Sequence, residues 1–201
     1  MTIERIIPAG AHARLVEVAD ANAAVSLALW ARERGVQATE IVPGAATVLF
    51  DGLTAVNDLP DVLAGWRPDA PRAQGREVVV AVAYDGPDLA AVADLWGVST
   101  AEVVRRHTSV EFTSAFCGFA PGFAYLAGLP PEWAVPRLDQ PRPRVEPGSV
   151  GLADAWCGVY PTASPGGWRL LGRTEAPLWD LARDEPALLP PGTRVRFEAL
   201  P

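Results

Sequence analysis

Phe116-Cys117-Gly118-Phe119-Ala120-Pro121-Gly122-Phe123-Ala124-Tyr125-Leu126 sets glycine and proline among four aromatic rings, and Ser164-Pro165-Gly166-Gly167-Trp168 repeats the combination downstream. Glycine next to proline fixes an unusual backbone and leaves amide N–H groups uncovered beside flat apolar walls. Loops of this make-up build sites. Working outward, the sequence from Glu111 onward consists of short apolar pieces parted by Gly and Pro at intervals of roughly ten residues, closing with Thr193–Phe197, which predicts an all-β barrel or sandwich. Upstream, Val78–Tyr84 is a continuous apolar, β-branched run, expected as a strand buried on both faces or at a core edge.

Two short helices should join that strand to the first loop. Leu89, Val92, Ala93 and Trp96 recur at helical spacing after Pro87-Asp88, with Gly97 as terminator. Ser99 and Glu102 then form a capping box for a helix ending near His107. This stretch, Leu89–Arg106, also resembles a helix-turn-helix. The acidic balance, the single basic pair Arg105-Arg106 and Glu102 at the phosphate-facing end oppose that reading.

Residues 3–66 read as a small α+β unit. Segments at Ile3–Ile7 and Arg14–Val18 precede an alanine-rich helix from about Asn22 to Arg34, stopped by Gly35. Thr39–Val42 and Thr47–Phe50 flank the turn signal Pro43-Gly44, and Asp58–Trp66 has room for a second helix. The ββαββα order suggests a sheet with helices on one face. The polar, breaker-rich run from Arg67 to Arg76 places a boundary, giving an α+β domain at 1–75 and a β domain at 76–201.

Composition narrows the function. The chain has 201 residues, 49% of them hydrophobic, with twenty prolines and eighteen glycines, enough for two small cores and many turns. All 17 basic residues are arginine, so no lysine serves a Schiff base or a Walker-type phosphate site. A net charge of −7 with scattered arginines is a poor footprint for nucleic acid. The N-terminus lacks a signal peptide's basic head and apolar stretch, and no apolar run is long enough to span a bilayer, so a cytoplasmic protein is expected. Cys117 and Cys157 have neither disulfide-scaffold nor zinc spacing and read as buried or half-buried thiols.

Several residues could carry chemistry. His107, near a helix C-terminus whose dipole favours its protonated form, is a candidate acid/base; the alternative is a capping or packed histidine. Glu111, four residues on, could orient it or act as a base, or be an exposed carboxylate. Backbone amides around Gly118, Gly122, Gly166 and Gly167 could cradle an anionic oxygen while Phe119, Phe123, Tyr125 and Trp168 wall off water, and Pro121, Ser164 and Pro165 in the same loops are further substrate-binding candidates. Arg173 could grip a substrate carboxylate or form an ion pair. His12 reads as structural or exposed. No metal set stands out.

His107-Thr108-Ser109-Val110-Glu111-Phe112, Gly118-Phe119-Ala120-Pro121-Gly122-Phe123-Ala124-Tyr125-Leu126, Pro147-Gly148-Ser149-Val150-Gly151, Gly158-Val159-Tyr160-Pro161, Ser164-Pro165-Gly166-Gly167-Trp168 and Leu171-Gly172-Arg173-Thr174 together resemble the family of B-type subunits of bacterial 5-oxoprolinase, also called kinase-A-inhibitor-like or allophanate hydrolase subunit 1 proteins. Pro136-Arg137 and Pro141-Arg142 belong to the same pattern. The resemblance implies a cyclophilin-like β-barrel for the second domain and a small α+β domain before it. It implies an enzyme component that is inactive alone and that works with a larger C-type subunit and a third, A-type subunit to couple ATP hydrolysis to opening of 5-oxoproline to glutamate. ATP would activate the lactam carbonyl before water attacks. The alternatives it carries are an allophanate- or urea-type hydrolase or carboxyltransferase component, and an inhibitor of a sensor histidine kinase. One departure stands out: Ala153-Asp154-Ala155-Trp156-Cys157 occupies the place of a Gly-Gly-x-Gln-Thr run, which removes an amide and a hydroxyl.

Overall fold

The structure, a computed structural model, describes residues 3–67 and 76–201. The breaker-rich boundary falls largely on residues 68–75, outside the described residues. The chain forms two compact units, the first ending at Gly75 and the second beginning at Arg76.

In the first unit, strands β1 (Arg5–Pro8) and β2 (Arg14–Glu17) lead into helix α1 (Ala21–Glu33), followed by β3 (Glu40–Pro43), β4 (Thr47–Asp51) and a short helix α2 (Leu59–Leu63). The four strands form an antiparallel sheet in the order β1-β2-β4-β3. Asp20 starts α1 by accepting the Ala23 N–H at 2.8 Å, the usual service of an N-cap carboxylate. Ala24, Leu27, Ala28 and Ala31 recur at helical spacing and lie fully inside, over Val16, Val48 and Phe50. This core draws only on residues 3–66.

The second unit begins with β5 (Glu77–Val82), α3 (Leu89–Trp96), α4 (Thr100–Ser109), β6 (Phe112–Cys117) and β7 (Ala124–Ala127). It continues through β8 (Arg142–Val145), β9 (Ser149–Ala153), β10 (Trp156–Val159), β11 (Ser164–Gly166), β12 (Arg169–Arg173) and β13 (Arg194–Ala199). Seven strands form one mixed sheet in the order β12-β9-β10-β7-β6-β13-β5, antiparallel throughout except for the parallel pair β13 and β5. Just past β5, Ala83 exchanges both backbone hydrogen bonds with Arg173 at 2.9 Å, so the two ends of the sheet meet and the barrel is nearly closed. Gly172 permits this, because a Cβ there would run into the Ala83 carbonyl oxygen.

Strand alternation fills the barrel with Val82, Phe112, Leu126, Leu152, Leu171 and Phe197. β5 is buried on one face only: Val80 and Val82 point inward while Val79 is half exposed. Of the two placements expected for that run, the structure takes the core edge. Gly97, at φ 64°, ends α3, and the Ser99 hydroxyl accepts the Glu102 N–H at 3.2 Å to start α4. The Glu102 carboxylate does not reach back to close the box; it turns to Arg105 and Arg106. Both helices send apolar side chains, Val92, Ala93 and Val103, into the barrel core, so they pack on the barrel. Among the described residues no helix is long and apolar enough to cross a membrane.

Outside the barrel lies a second layer. β8 and β11 pair as a separate two-stranded sheet, and Val145, Trp168 and Leu170 close with Phe123, Ala153 and Tyr160 into a second hydrophobic cluster. β9 is therefore buried at every position, since both of its faces are covered.

Candidate functional site

The two glycine-proline loops meet on the outer face of the barrel. β7 sends Ala124 and Leu126 inward and leaves Tyr125 outside, with Phe123 preceding it on the same side. A bulge at Ala115 in β6 shifts the alternation so that Phe116 faces Tyr125 instead of the interior, and the two rings stack at 4.4 Å with 14° between planes. On β10, Cys157 and Val159 point inward while Trp156 and Gly158 face outward in line with Tyr160. Gly158 keeps this face low: a Cβ there would come within 3.0 Å of the Trp168 ring and 3.1 Å of Phe123. The rings meet mainly edge to face, Phe123 to Trp168 at 5.5 Å, Phe123 to Tyr160 at 5.4 Å and Tyr125 to Trp168 at 5.7 Å, the arrangement aromatic quadrupoles favour.

These rings, with Pro165, Gly166, Arg137 and Asp154, line a half-open cavity of about 170 Å³. Burial raises the Tyr160 hydroxyl above its ordinary range, opposed by the Trp168 backbone amide and the Arg137 and Arg142 guanidiniums. The pocket joins Phe119, Phe123, Tyr125, Pro165 and Gly166, all expected from the sequence.

The other expected residues stand elsewhere. The Gly118 N–H is spent on the Phe123 carbonyl at 3.2 Å, so it is not free to hold an anion. Gly122, at φ 86°, is packed against Leu178 and Trp179, and Pro121 lines a separate cavity of about 490 Å³ with Pro147, Pro161 and Trp179. Ser164 sits in β11 with a buried hydroxyl that meets no partner among the described residues. Gly167 is buried, its carbonyl accepting the Leu138 N–H at 2.8 Å. Arg173 lies exposed at the end of β12, paired with Asp85 at 2.9 Å. His12 is exposed.

His107 and Glu111 are separated from the pocket and from each other. Glu111 is on the surface, accepting from Arg196 at 2.9 Å. His107 is fully buried inside the barrel, ringed by Phe112 and Phe197. Its Nδ1 shares a hydrogen bond of 2.7 Å with the Tyr84 hydroxyl, and its Nε2 lies 3.3 Å from the Cys157 sulfur. Burial lowers it to about 3, which corrects the expectation of a protonated ring: loss of water outweighs the helix dipole. The same burial raises the Tyr84 hydroxyl and the Cys157 thiol, so the three form a neutral polar island. Cys157 therefore does not thin out the pocket, as its replacement of a threonine suggested; it faces His107. Trp156 does line the pocket.

Arg137, Asp154, Trp156 and Tyr160 were not among the expected site residues. Period-two alternation from Trp156 to Tyr160 was a readable sign for two of them. Arg137 and Asp154 come together only because Val135 and Asp154 exchange backbone hydrogen bonds at 2.7 and 3.0 Å, a long-range pairing with no local signature.

A nearly closed mixed barrel carrying an aromatic pocket outside its wall defines the class. Residues 4–189 match the family model of the carboxyltransferase domain, subdomain C and D, and the chain belongs to that family. It is 43% identical over 166 residues to the B-type subunit of 5-oxoprolinase from Escherichia coli O157:H7, covering 79% of this chain and 76% of that protein. The crystal structure of TTHA0988 superposes with a TM-score of 0.80 at 32% identity, over 94% of this chain and 40% of that one, so this chain spans less than half of that longer protein. The Kluyveromyces lactis urea carboxylase shares the fold, with a TM-score of 0.67 at 19% identity over 100% of this chain and 23% of that one.

Proposed function

We propose that the chain is the B-type subunit of an ATP-dependent 5-oxoprolinase, which opens the lactam of 5-oxoproline to glutamate and is active only with a larger C-type subunit and an A-type subunit. The observation that carries this reading is the ring-sized aromatic pocket built by the two glycine-proline loops, in a family with relatives named as the B-type subunits of 5-oxoprolinase. An apolar cavity of about 150 Å³ accepts a benzene ring, so a pocket of about 170 Å³ suits one small ring. Hydrolysis breaks the ring C–N bond, adds water's oxygen to the carbonyl carbon and leaves the nitrogen protonated as an amine. In this reading the aromatic walls hold the ring, and the groups that activate water and carbonyl come from the partners. Neither His107 nor Glu111 takes part, because neither reaches the pocket.

ATP does not fit this site. The pocket is too small for a nucleoside triphosphate, the chain has no lysine, and no step is assigned to ATP on this chain; its binding falls to a partner. The reading also takes the second unit as a cyclophilin-like barrel, the first as an independent α+β domain, and the protein as cytoplasmic. A urea-type reading draws on likeness of fold alone, and no feature of the pocket favours kinase inhibition.

Co-expression with homologues of the C-type and A-type subunits tests the proposal through ATP-dependent glutamate formation. The assembled complex should turn over 5-oxoproline, the chain alone should not, and Phe119→Ala, at an exposed wall residue, should cut turnover without breaking the complex. A complex that hydrolyses a urea derivative and leaves 5-oxoproline untouched would replace this reading with the urea-type one.

A further inference from the structure

The aromatic pocket holds two charges that the fold does not use. Among the described residues Arg137 has no ion-pair or hydrogen-bond partner, whereas Arg142 is committed to Asp88 and Arg169 to the Pro136 carbonyl. The Asp154 carboxylate is likewise without a partner among the described residues, while its backbone is fixed at both N–H and C=O by Val135. A charge left in water needs no partner, but here two opposite charges flank one ring-sized cavity without pairing with each other.

The backbone adds a second, independent sign. Phe119, at φ 68°, and Asp154, at φ 50°, are the two non-glycine residues with positive φ among the described residues, and both line this cavity. Left-handed backbone costs a phenylalanine roughly 1–2 kcal/mol, and such strain gathers at ligand clamps.

We infer that the pocket recognises a small cyclic amide carrying a carboxylate beside its ring N–H, with Arg137 pairing the carboxylate, Asp154 accepting the N–H, and the aromatic walls covering the ring faces. The inference rests on the proposed 5-oxoprolinase reading for its substrate class and deepens it by naming the residues that set specificity. A guanidinium offers two donors to a carboxylate, and an ionised carboxylate accepts only. A ring whose carboxylate and N–H sit on neighbouring atoms presents the complementary pair. The lactam carbonyl, on the far side of the nitrogen, is left for groups from outside this chain.

Trp156 and Trp168 at the walls supply a fluorescence readout on the intact chain, titrated with L-5-oxoproline, 2-pyrrolidinone and L-glutamate. L-5-oxoproline should bind saturably, and 2-pyrrolidinone, which lacks the carboxylate, roughly ten- to hundredfold more weakly. Arg137→Gln should weaken 5-oxoproline by a similar factor and leave 2-pyrrolidinone unchanged, while Asp154→Asn should weaken both rings. Thermal melts of both variants should match the parent, since both side chains are exposed.

Equal binding of the two rings, equal loss of both in Arg137→Gln, glutamate bound more tightly than the ring, or no saturable binding by the chain would each overturn the inference. If the assembled complex hydrolyses 5-oxoproline with Arg137→Gln as fast as with the parent, this inference falls and the 5-oxoprolinase reading stands. If the chain binds 5-oxoproline through Arg137 yet no complex hydrolyses it, the 5-oxoprolinase reading falls and the ligand assignment stands.

Discussion

Both ring nitrogens of His107 are engaged inside an aromatic shell, which makes folding sensitive to its protonation. The folded value near 3 lies below the ordinary 6.5, so the unfolded chain binds a proton that the folded chain refuses. The stability this contributes is complete above about pH 6.5 and is lost as pH falls from there toward about 3. At 1.36 kcal/mol per unit, moving from pH 7.5 to pH 5 should remove about 2 kcal/mol. Urea midpoints measured across that range check this, and His107→Gln should flatten the slope; a parent midpoint that is level from pH 7 to pH 5 would refute it. His107→Ala should also destabilise by roughly 2–4 kcal/mol through the cavity and the stranded Tyr84 hydroxyl. The pattern of α4 carried a sign that His107 turns inward, since Val103 precedes it by one helical turn on the buried face, a sign the acid/base reading passed over. What it could not show was the absence of water around that face, and a dipole argument made for an exposed histidine fails once burial dominates.

Among the elements, the β8–β11 layer supplies Pro165 and Gly166 to the pocket lining, and Asp88 ties that layer down. One Asp88 oxygen accepts from Arg142 of β8 at 2.7 Å and the other from the Leu170 N–H of β12 at 2.7 Å, with Asp88 itself only 6% exposed. Arg142 also donates to the Trp168 carbonyl at 3.4 Å, linking the pair to a pocket wall. Asp88→Ala should destabilise the chain by roughly 2–4 kcal/mol, less than a fully buried pair because Arg142 keeps some water. It should also weaken 5-oxoproline binding without touching the ligand. Loss of stability with unchanged binding would show that the layer holds its place by other contacts. At the barrel seam, Gly172→Ala should lower the stability read from urea midpoints by about 1–3 kcal/mol, since its Cβ must displace the Ala83 carbonyl; a variant as stable as the parent would mean the seam opens at no cost. The glycine-proline loops marked one half of the site from sequence because their turn chemistry is local. Of the remaining walls, Trp156 and Tyr160 follow from period-two alternation, while Arg137 and Asp154 depend on the Val135–Asp154 pairing, a contact between distant segments with no local signature.

At the scale of the molecule, the two hydrophobic cores share no residue. The first unit's core uses only positions 3–66, and the second unit's two clusters only positions from Val78 on. The second unit, residues 76–201, falls in the size range that sustains an independent core. It also holds every residue of the pocket, from Phe119 to Trp168. A fragment of residues 76–201 should therefore unfold in urea as a single cooperative transition, with a midpoint close to that of the same region in the intact chain. It should bind L-5-oxoproline with unchanged affinity, yet give no turnover, because a pocket without its catalytic partners positions the ring but supplies nothing to open it. A fragment that stays collapsed without cooperative unfolding, or that folds but no longer binds the ring, would show that the first unit is part of the site's foundation, and the division of labour between the units would have to be redrawn.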